Sequence, residues 1–141
     1  MTQVEFHHDA ADKHLAACQL VHRHYTAGAK IAVYVPDGET ARRFDQLLWT
    51  WNALSFIPHV TEDSPLASQT PVILQRGTRG VEGCTVLLNL APQVPPGIDT
   101  YTLLLEVVGR EESDRIPARS RVIEYRRLGH NVEMRKFGES K

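Results

Sequence analysis

Three short runs of almost uninterrupted apolar residues constrain the fold of this chain more than any other feature. They occupy residues 30–35 (Lys-Ile-Ala-Val-Tyr-Val), 84–90 (Cys-Thr-Val-Leu-Leu-Asn-Leu) and 102–108 (Thr-Leu-Leu-Leu-Glu-Val-Val). A strand has this composition when both of its faces are covered, because neither face then needs polar residues. Such strands belong to parallel sheets, so we expect a sheet with helices packed on both sides.

The remaining segments complete an alternating pattern. Asp9 and Asp37 are candidate N-caps of the first and second helices, and Pro58 is expected to end a short edge strand. The predicted strands cover residues 3–7, 30–35, 54–59, 72–74, 84–90, 102–108 and 131–137, and the predicted helices cover residues 11–26, 38–49 and 114–128. The order β-α-β-α-β-β-β-β-α-β predicts an α/β fold with a mostly parallel sheet, formed as a single domain by residues 1–141.

The overall composition is that of an ordinary globular protein. The formal net charge is −1, so the chain as a whole is not a basic coat for nucleic acid. It has no apolar run near the roughly 18 residues of a membrane span, and its first residues do not resemble a signal peptide. Cys18 and Cys84 lie in apolar segments and are interpreted as buried free thiols. These features predict a cytoplasmic protein with no membrane contact.

Two places in the sequence are candidate sites of an enzyme. The turn Pro36-Asp37-Gly38-Glu39-Thr40 has one glycine and two carboxylates, whereas a phosphate cradle needs several free backbone N–H groups. We interpret it as a capped helix. His14, Cys18 and His22 share one side of the first helix, but no fourth metal ligand is apparent. A small nucleotide- or metal-dependent enzyme is therefore the alternative hypothesis, and no cofactor is predicted.

The last predicted helix carries much of the positive charge. Nine of the 16 Lys and Arg residues lie between residues 110 and 141. Arg115 and Arg119 are i, i+4 neighbours, Val122 and Arg126 continue their row, and Arg121 lies further round the helix. An ordinary solvated face, a carboxylate-binding surface and direct binding of nucleic acid are the three interpretations. The near-neutral net charge argues against the last of these.

Aromatic residues gather at the end of the second helix and just beyond it. Trp49, Trp51 and Phe56 lie within eight residues of one another. They form either a peripheral part of the core or the anchors of a protein interface, where Trp and Phe side chains are enriched.

Several blocks of this sequence resemble one known family. They are residues 28–35, residues 41–49 ending in Leu-Leu-Trp, the element Ser-Phe-Ile-Pro-His at residues 55–59, and residues 119–130. Together they resemble the chi subunit family of bacterial DNA polymerase III, over essentially the whole chain. The middle blocks are the specific ones.

The resemblance implies a function as well as a fold. It implies a single-domain, Rossmann-like, three-layer fold without nucleotide, and a non-catalytic accessory subunit of the replication machinery. The implied partners are the psi subunit, which ties the family to the clamp loader, and the acidic C-terminal tail of single-stranded DNA-binding protein, so that DNA is reached only indirectly. Carried over to this sequence, the psi contact falls on Trp49, Phe56 and Pro58, and the tail contact falls on Arg115, Arg119, Val122 and Arg126. Val122 stands where the family often has an aromatic residue.

Overall fold

The computed structural model describes residues 2–52, 56–78 and 81–137 of the chain. Within these described residues, seven strands and three α-helices follow one another in the predicted order. They are β1 (Gln3–Ala10), α1 (Lys13–Thr26), β2 (Ile31–Tyr34), α2 (Gly38–Thr50), β3 (His59–Thr61), β4 (Val72–Gln75), β5 (Val86–Asn89), β6 (Leu103–Gly109), α3 (Glu112–Arg127) and β7 (Asn131–Lys136). No helix among these residues is both long and apolar enough to cross a lipid bilayer.

The seven strands form one sheet in the order β3-β4-β2-β5-β6-β1-β7. Every pairing is parallel, as the apolar runs predicted. The strands that carry these runs, β2, β5 and β6, lie in the interior of the sheet, where both faces are covered. This confirms the α/β, three-layer, Rossmann-like fold.

The two faces of the sheet have separate cores. On one face, α1 and α2 bury Leu20, Phe44 and Leu48 against the strands, and we call this the first core. On the other face, α3 covers the second core, where the rings of Phe6 and Tyr125 lie 5.8 Å apart. Helices therefore pack on both faces of the sheet, as predicted.

Both cysteines are buried free thiols, as expected from their apolar surroundings. Cys18 lies in the first core and Cys84 in the second, so the sheet separates them. Burial raises the pKa of Cys18 to about 12 and the pKa of Cys84 to about 11. Both thiols are therefore protonated and poorly nucleophilic at neutral pH.

The edge strand was predicted too early in the chain. Pro58 precedes the strand rather than ending it, because β3 begins at His59 and pairs with β4 from Val72 onwards. Proline has no N–H to donate, so regular pairing starts after it. Of the predicted strand, residues 54 and 55 lie outside the described residues. The edge position itself was correct.

The cap of the first helix was also wrongly assigned. β1 continues through Ala10, and the N-cap of α1 is Asp12, whose carboxylate accepts a hydrogen bond from the Leu15 N–H at 3.1 Å. Asp9 instead has a positive φ of 63° and turns its side chain towards α3. The cap predicted for the second helix is confirmed, because the Asp37 carboxylate accepts from the Thr40 N–H at 2.9 Å.

Candidate functional site

A buried polar network holds α3 on the sheet. Glu106 of β6 points into the second core and is fully buried. The guanidinium of Arg121 donates to both of its carboxylate oxygens, each at 3.0 Å, and Asn89 donates to it at 2.9 Å. Tyr125 donates its hydroxyl proton to the same carboxylate. Three side chains from two neighbouring elements thus converge on one carboxylate.

The network sets the protonation of its members. Burial raises the pKa of Glu106, and the charge and hydrogen bonds of Arg121 oppose that effect. Burial, followed by the Glu106 carboxylate, raises the pKa of Tyr125 far above its usual range, so its hydroxyl stays a donor. Besides Arg121 and Tyr125, only Ala118 is buried among the described residues of α3. The polar contacts of Arg121 and Tyr125 therefore help to orient this helix.

Sequence reasoning missed this network. It placed Arg121 beside the surface arginines, whereas the Arg121 side chain is only 4% exposed. One signal was available, because Glu106 interrupts an apolar run predicted to be buried on both faces. A buried carboxylate needs a cationic or hydrogen-bonding partner, so a buried Glu106 predicts that such a partner lies next to it.

The predicted row of residues does lie along one side of α3. The Arg115 side chain is 41% exposed and its guanidinium donates to Asp9 at 2.9 Å. Arg119 is 63% exposed and lies 3.4 Å from Glu112. Val122 is half-buried against the second core. Arg126 is exposed and has no ion pair among the residues that the structure describes.

Asp9 of β1 already forms an ion pair with Arg115, one residue of this row. A hydrogen bond from His8, and next the Arg115 guanidinium, hold the pKa of Asp9 below its usual range. Its carboxylate is therefore ionised at neutral pH. An incoming carboxylate would share Arg115 with Asp9, whereas Arg119 and Arg126 are more accessible.

The aromatic surface lies at the other end of the sheet. The centroid of the Trp49 ring, at the end of α2, lies 4.4 Å from that of the His59 ring and 5.2 Å from that of the Phe56 ring, and both pairs of rings are tilted. Trp49 is 47% exposed and Phe56 is 65% exposed, while Pro58 beside them is half-buried. Trp51 instead faces His22 and packs against the first core. Two of the three aromatic residues are therefore surface residues.

His59 supports this surface from below. Its side chain is buried, and its Nδ1–H donates to the carbonyl of Ile57 at 2.8 Å. The Asp45 carboxylate lies 3.0 Å from Nε2, but without the alignment of a hydrogen bond. The hydrogen bond to Ile57 thus holds the imidazole in place, and the Trp49 ring packs against it.

Residues of the two candidate enzyme sites make structural contacts instead. The Asp37 carboxylate caps α2 by accepting a hydrogen bond from the Thr40 N–H. His14 faces the ring of Phe44. Within residues 2–52, 56–78 and 81–137, no group of three His, Cys, Asp or Glu side chains is arranged to hold a metal ion.

Sequence comparison points to one family. The family model described as DNA polymerase III chi subunit, HolC, matches residues 1–133. The DNA polymerase III subunit chi of Pseudomonas aeruginosa is 25% identical over 94% of this chain and 95% of its own length. The corresponding Haemophilus influenzae protein is 24% identical, over 86% of this chain and 85% of its own length. The Escherichia coli protein is 25% identical, over 82% and 79%.

Comparison with solved structures gives the same fold in larger proteins. Saccharomyces cerevisiae Dbp5, solved bound to RNA and ADP BeF3, matches with a TM-score of 0.63 at 10% identity, over 95% of this chain. T4 UvsW matches with a TM-score of 0.63 at 6% identity, over 96% of this chain. This chain spans 41% of each of those chains. At such low identity the similarity shows the fold alone.

Proposed function

Because this chain belongs to the DNA polymerase III chi subunit family, whose members are accessory rather than catalytic subunits of the polymerase complex, we propose that it works as a tether. One surface, consisting of Trp49, Phe56 and Pro58, binds the psi subunit and through it the clamp loader. The other, consisting of Arg115, Arg119, Val122 and Arg126, binds the acidic C-terminal tail of single-stranded DNA-binding protein. Residues 1–141 act as one domain, and the alternative of a nucleotide- or metal-dependent enzyme is set aside because the relatives are chi subunits.

The separation of the two surfaces carries this proposal. Trp49 rests on His59 of β3, the first strand in the sheet order. The arginine row lies on α3, which packs on β6 and β7 at the opposite end. A protein that holds two partners at once needs surfaces that do not overlap, and this arrangement supplies them.

The chemistry of α3 supports a carboxylate-bearing partner. Arginine presents a planar fork of donors that can bind a carboxylate through two hydrogen bonds. Arg119 and Arg126 are exposed on one side of the helix, and Arg126 has no ion pair among the described residues. Exposed ion pairs are worth only about 0–1 kcal/mol each, so the tail is expected to bind with modest affinity.

Replacing both Arg115 and Arg119 with alanine is expected to weaken binding of an acidic tail peptide about tenfold, because two ion pairs of up to about 1 kcal/mol each are lost. Raising the salt from about 50 to 300 mM is expected to weaken wild-type binding as well, because salt screens exposed charges. Isothermal titration calorimetry with the peptide measures both effects. Arg23→Ala, an exposed arginine on α1, is the matched control. Wild-type affinity in the double variant would show that the tail binds elsewhere.

Single-stranded DNA is expected to bind this protein only through its coating protein. The chain is nearly neutral overall, and most arginines of α3 already face carboxylates. Fluorescence anisotropy of a labelled oligonucleotide should therefore not change when this protein is added alone, and should rise when it is added to the coated strand. A salt-dependent rise with the bare strand would favour direct DNA binding instead.

A further inference from the structure

The last strand leaves one long edge of the sheet open. β7 pairs with β1 on its inner side over six residues without a bulge, and among the described residues no strand lies on its outer side. Edge strands are usually protected from further pairing by shortness, by proline or by a bulge. β3, at the opposite edge, is three residues long and follows Pro58, whereas β7 has none of these protections.

One hydrogen bond shows which backbone groups of β7 point outwards. The Phe137 N–H donates to the His8 carbonyl at 2.8 Å, so the backbone of Phe137 faces β1. Successive residues of a strand direct their N–H and C=O groups alternately to its two sides. Val132, Met134 and Lys136 therefore direct these groups away from β1, where an added strand would find them.

The side chains of β7 favour a second copy of this chain as that added strand. A two-fold axis through Met134 would pair the two β7 strands antiparallel, with Met134 opposite Met134. This places Glu133 of each copy opposite Arg135 of the other, so an opposite-charge pair forms twice. Met134 is 48% exposed and would be covered by its counterpart.

The charges of β7 select this register over its neighbours. An axis through Glu133 would oppose the two Glu133 side chains, and an axis through Arg135 would oppose the two Arg135 side chains. Like charges directly opposite each other are destabilising. Within one copy the Arg135 guanidinium lies 2.8 Å from the Glu133 carboxylate. Pairing through Met134 therefore joins two such ion pairs into one network.

The helices leave room for the second copy. α3 packs on β6 and β7, which flank β1, so it lies approximately over β1. In the paired sheet the two β1 strands would be separated by three strand spacings, about 14 Å. Packed helices need only about 8–10 Å between their axes, so the two α3 helices would not clash.

We propose that β7 is a self-association edge, on which a second copy of this chain adds its own β7 antiparallel with Met134 at the two-fold axis. The edge contains none of the residues of the two surfaces in the proposed function, so it can fail or hold independently of them. Two short strands bury little surface, so the dimer is weak, with an expected Kd of about 0.1 mM.

Sedimentation equilibrium of the full chain between about 10 μM and 1 mM tests this pairing. Glu133→Lys and Arg135→Glu should each weaken self-association at least about tenfold, because each turns two opposite-charge pairs into like-charge pairs. An equimolar mixture of the two variants should regain the wild-type association, because every cross-strand pair then again joins unlike charges. This recovery would also show that both variants are folded. Arg23→Glu, at an exposed residue of α1, is the matched control.

A further variant tests the backbone pairing itself. Met134→Pro removes an outward N–H group and leaves the ladder with β1 intact, so it should abolish the dimer without unfolding the chain. A dimer that survives this substitution would place the contact elsewhere. The inference would also be overturned by a wild-type chain that stays monomeric at about 1 mM, or by a mixture of the charge variants that associates no better than either variant alone.

Discussion

Arg121→Ala is expected to lower the free energy of unfolding by about 3–5 kcal/mol, the usual cost of leaving one partner of a buried ion pair without the other. Glu106 is fully buried, and Arg121 supplies two of its hydrogen bonds. Tyr125 and Asn89 would remain as donors but carry no charge. Urea denaturation followed by circular dichroism measures the loss.

The loss should also depend on pH. The pKa of Glu106 is already raised by burial above its ordinary value of 4.5, and Arg121 is the main opposing influence. Without Arg121 the pKa in the folded state rises further above that of the unfolded chain. The variant then keeps its free energy of unfolding at pH values below the ordinary carboxyl pKa. It loses free energy of unfolding as the pH rises through the pKa that Glu106 has in the folded state. The deficit of Arg121→Ala should therefore be smaller at about pH 5 than at pH 8.

Two variants control this experiment. Arg119→Ala removes an exposed arginine of the same helix and should change stability by no more than about 0.5 kcal/mol. The double variant Glu106→Leu/Arg121→Met removes both charges and should be far more stable than Arg121→Ala, because a buried pair can often be replaced by apolar residues. A deficit below about 1 kcal/mol for Arg121→Ala, or one independent of pH, would contradict the assignment of an ionic network.

Phe56→Ala is expected to weaken binding of the psi subunit by at least about 30-fold, the effect of losing an interface residue worth about 2 kcal/mol. This follows from the proposed function. Phe56 is 65% exposed and its ring lies against that of Trp49, so the two rings form a continuous aromatic surface next to His59. Folding stability should hardly change, since little of the Phe56 side chain is buried. Surface plasmon resonance with purified psi, together with co-purification, measures the effect.

Leu66→Ala is the matched control for Phe56→Ala. Leu66 is also an exposed large apolar residue, at 56%, and it lies in the segment after β3. Trp49→Ala should weaken binding too, and the Trp49/Phe56 double variant should lose less than the sum of the two, because the rings contact each other. Full co-purification of Phe56→Ala with psi would refute this surface. Tail-peptide binding should be unaffected in all these variants.

Much of the fold was predictable because it depends on local patterns. An apolar run without alternation requires cover on both faces, and this led to a parallel sheet between two layers of helices. The cap at Asp37 was predictable because a cap involves only residues three positions apart. The edge strand was predicted a few residues too early, because its first residue depends on tertiary pairing with β4. That pairing begins at His59, directly after Pro58.

The two candidate surfaces were predictable only in part. Residue types and the family resemblance selected the arginines of α3 and the aromatics near residue 50. The sequence could not tell that Trp51 packs inwards while Trp49 and Phe56 stay exposed, because that depends on how α2 lies on the sheet. It also did not indicate that Asp9 pairs with Arg115, since the two residues are 106 positions apart.

The sequence by itself determined the layers of this protein, its order of elements and the kind of chemistry available on α3. The tertiary structure decided which side of α3 faces the sheet. Arginines occur on several sides of that helix, so periodicity could not identify the one that is buried. Arg121 and Tyr125 lie on the buried side, where both donate hydrogen bonds to the fully buried carboxylate of Glu106, 15 residues before Arg121 on β6. Arg115, Arg119 and Arg126 thereby lie at the surface of α3.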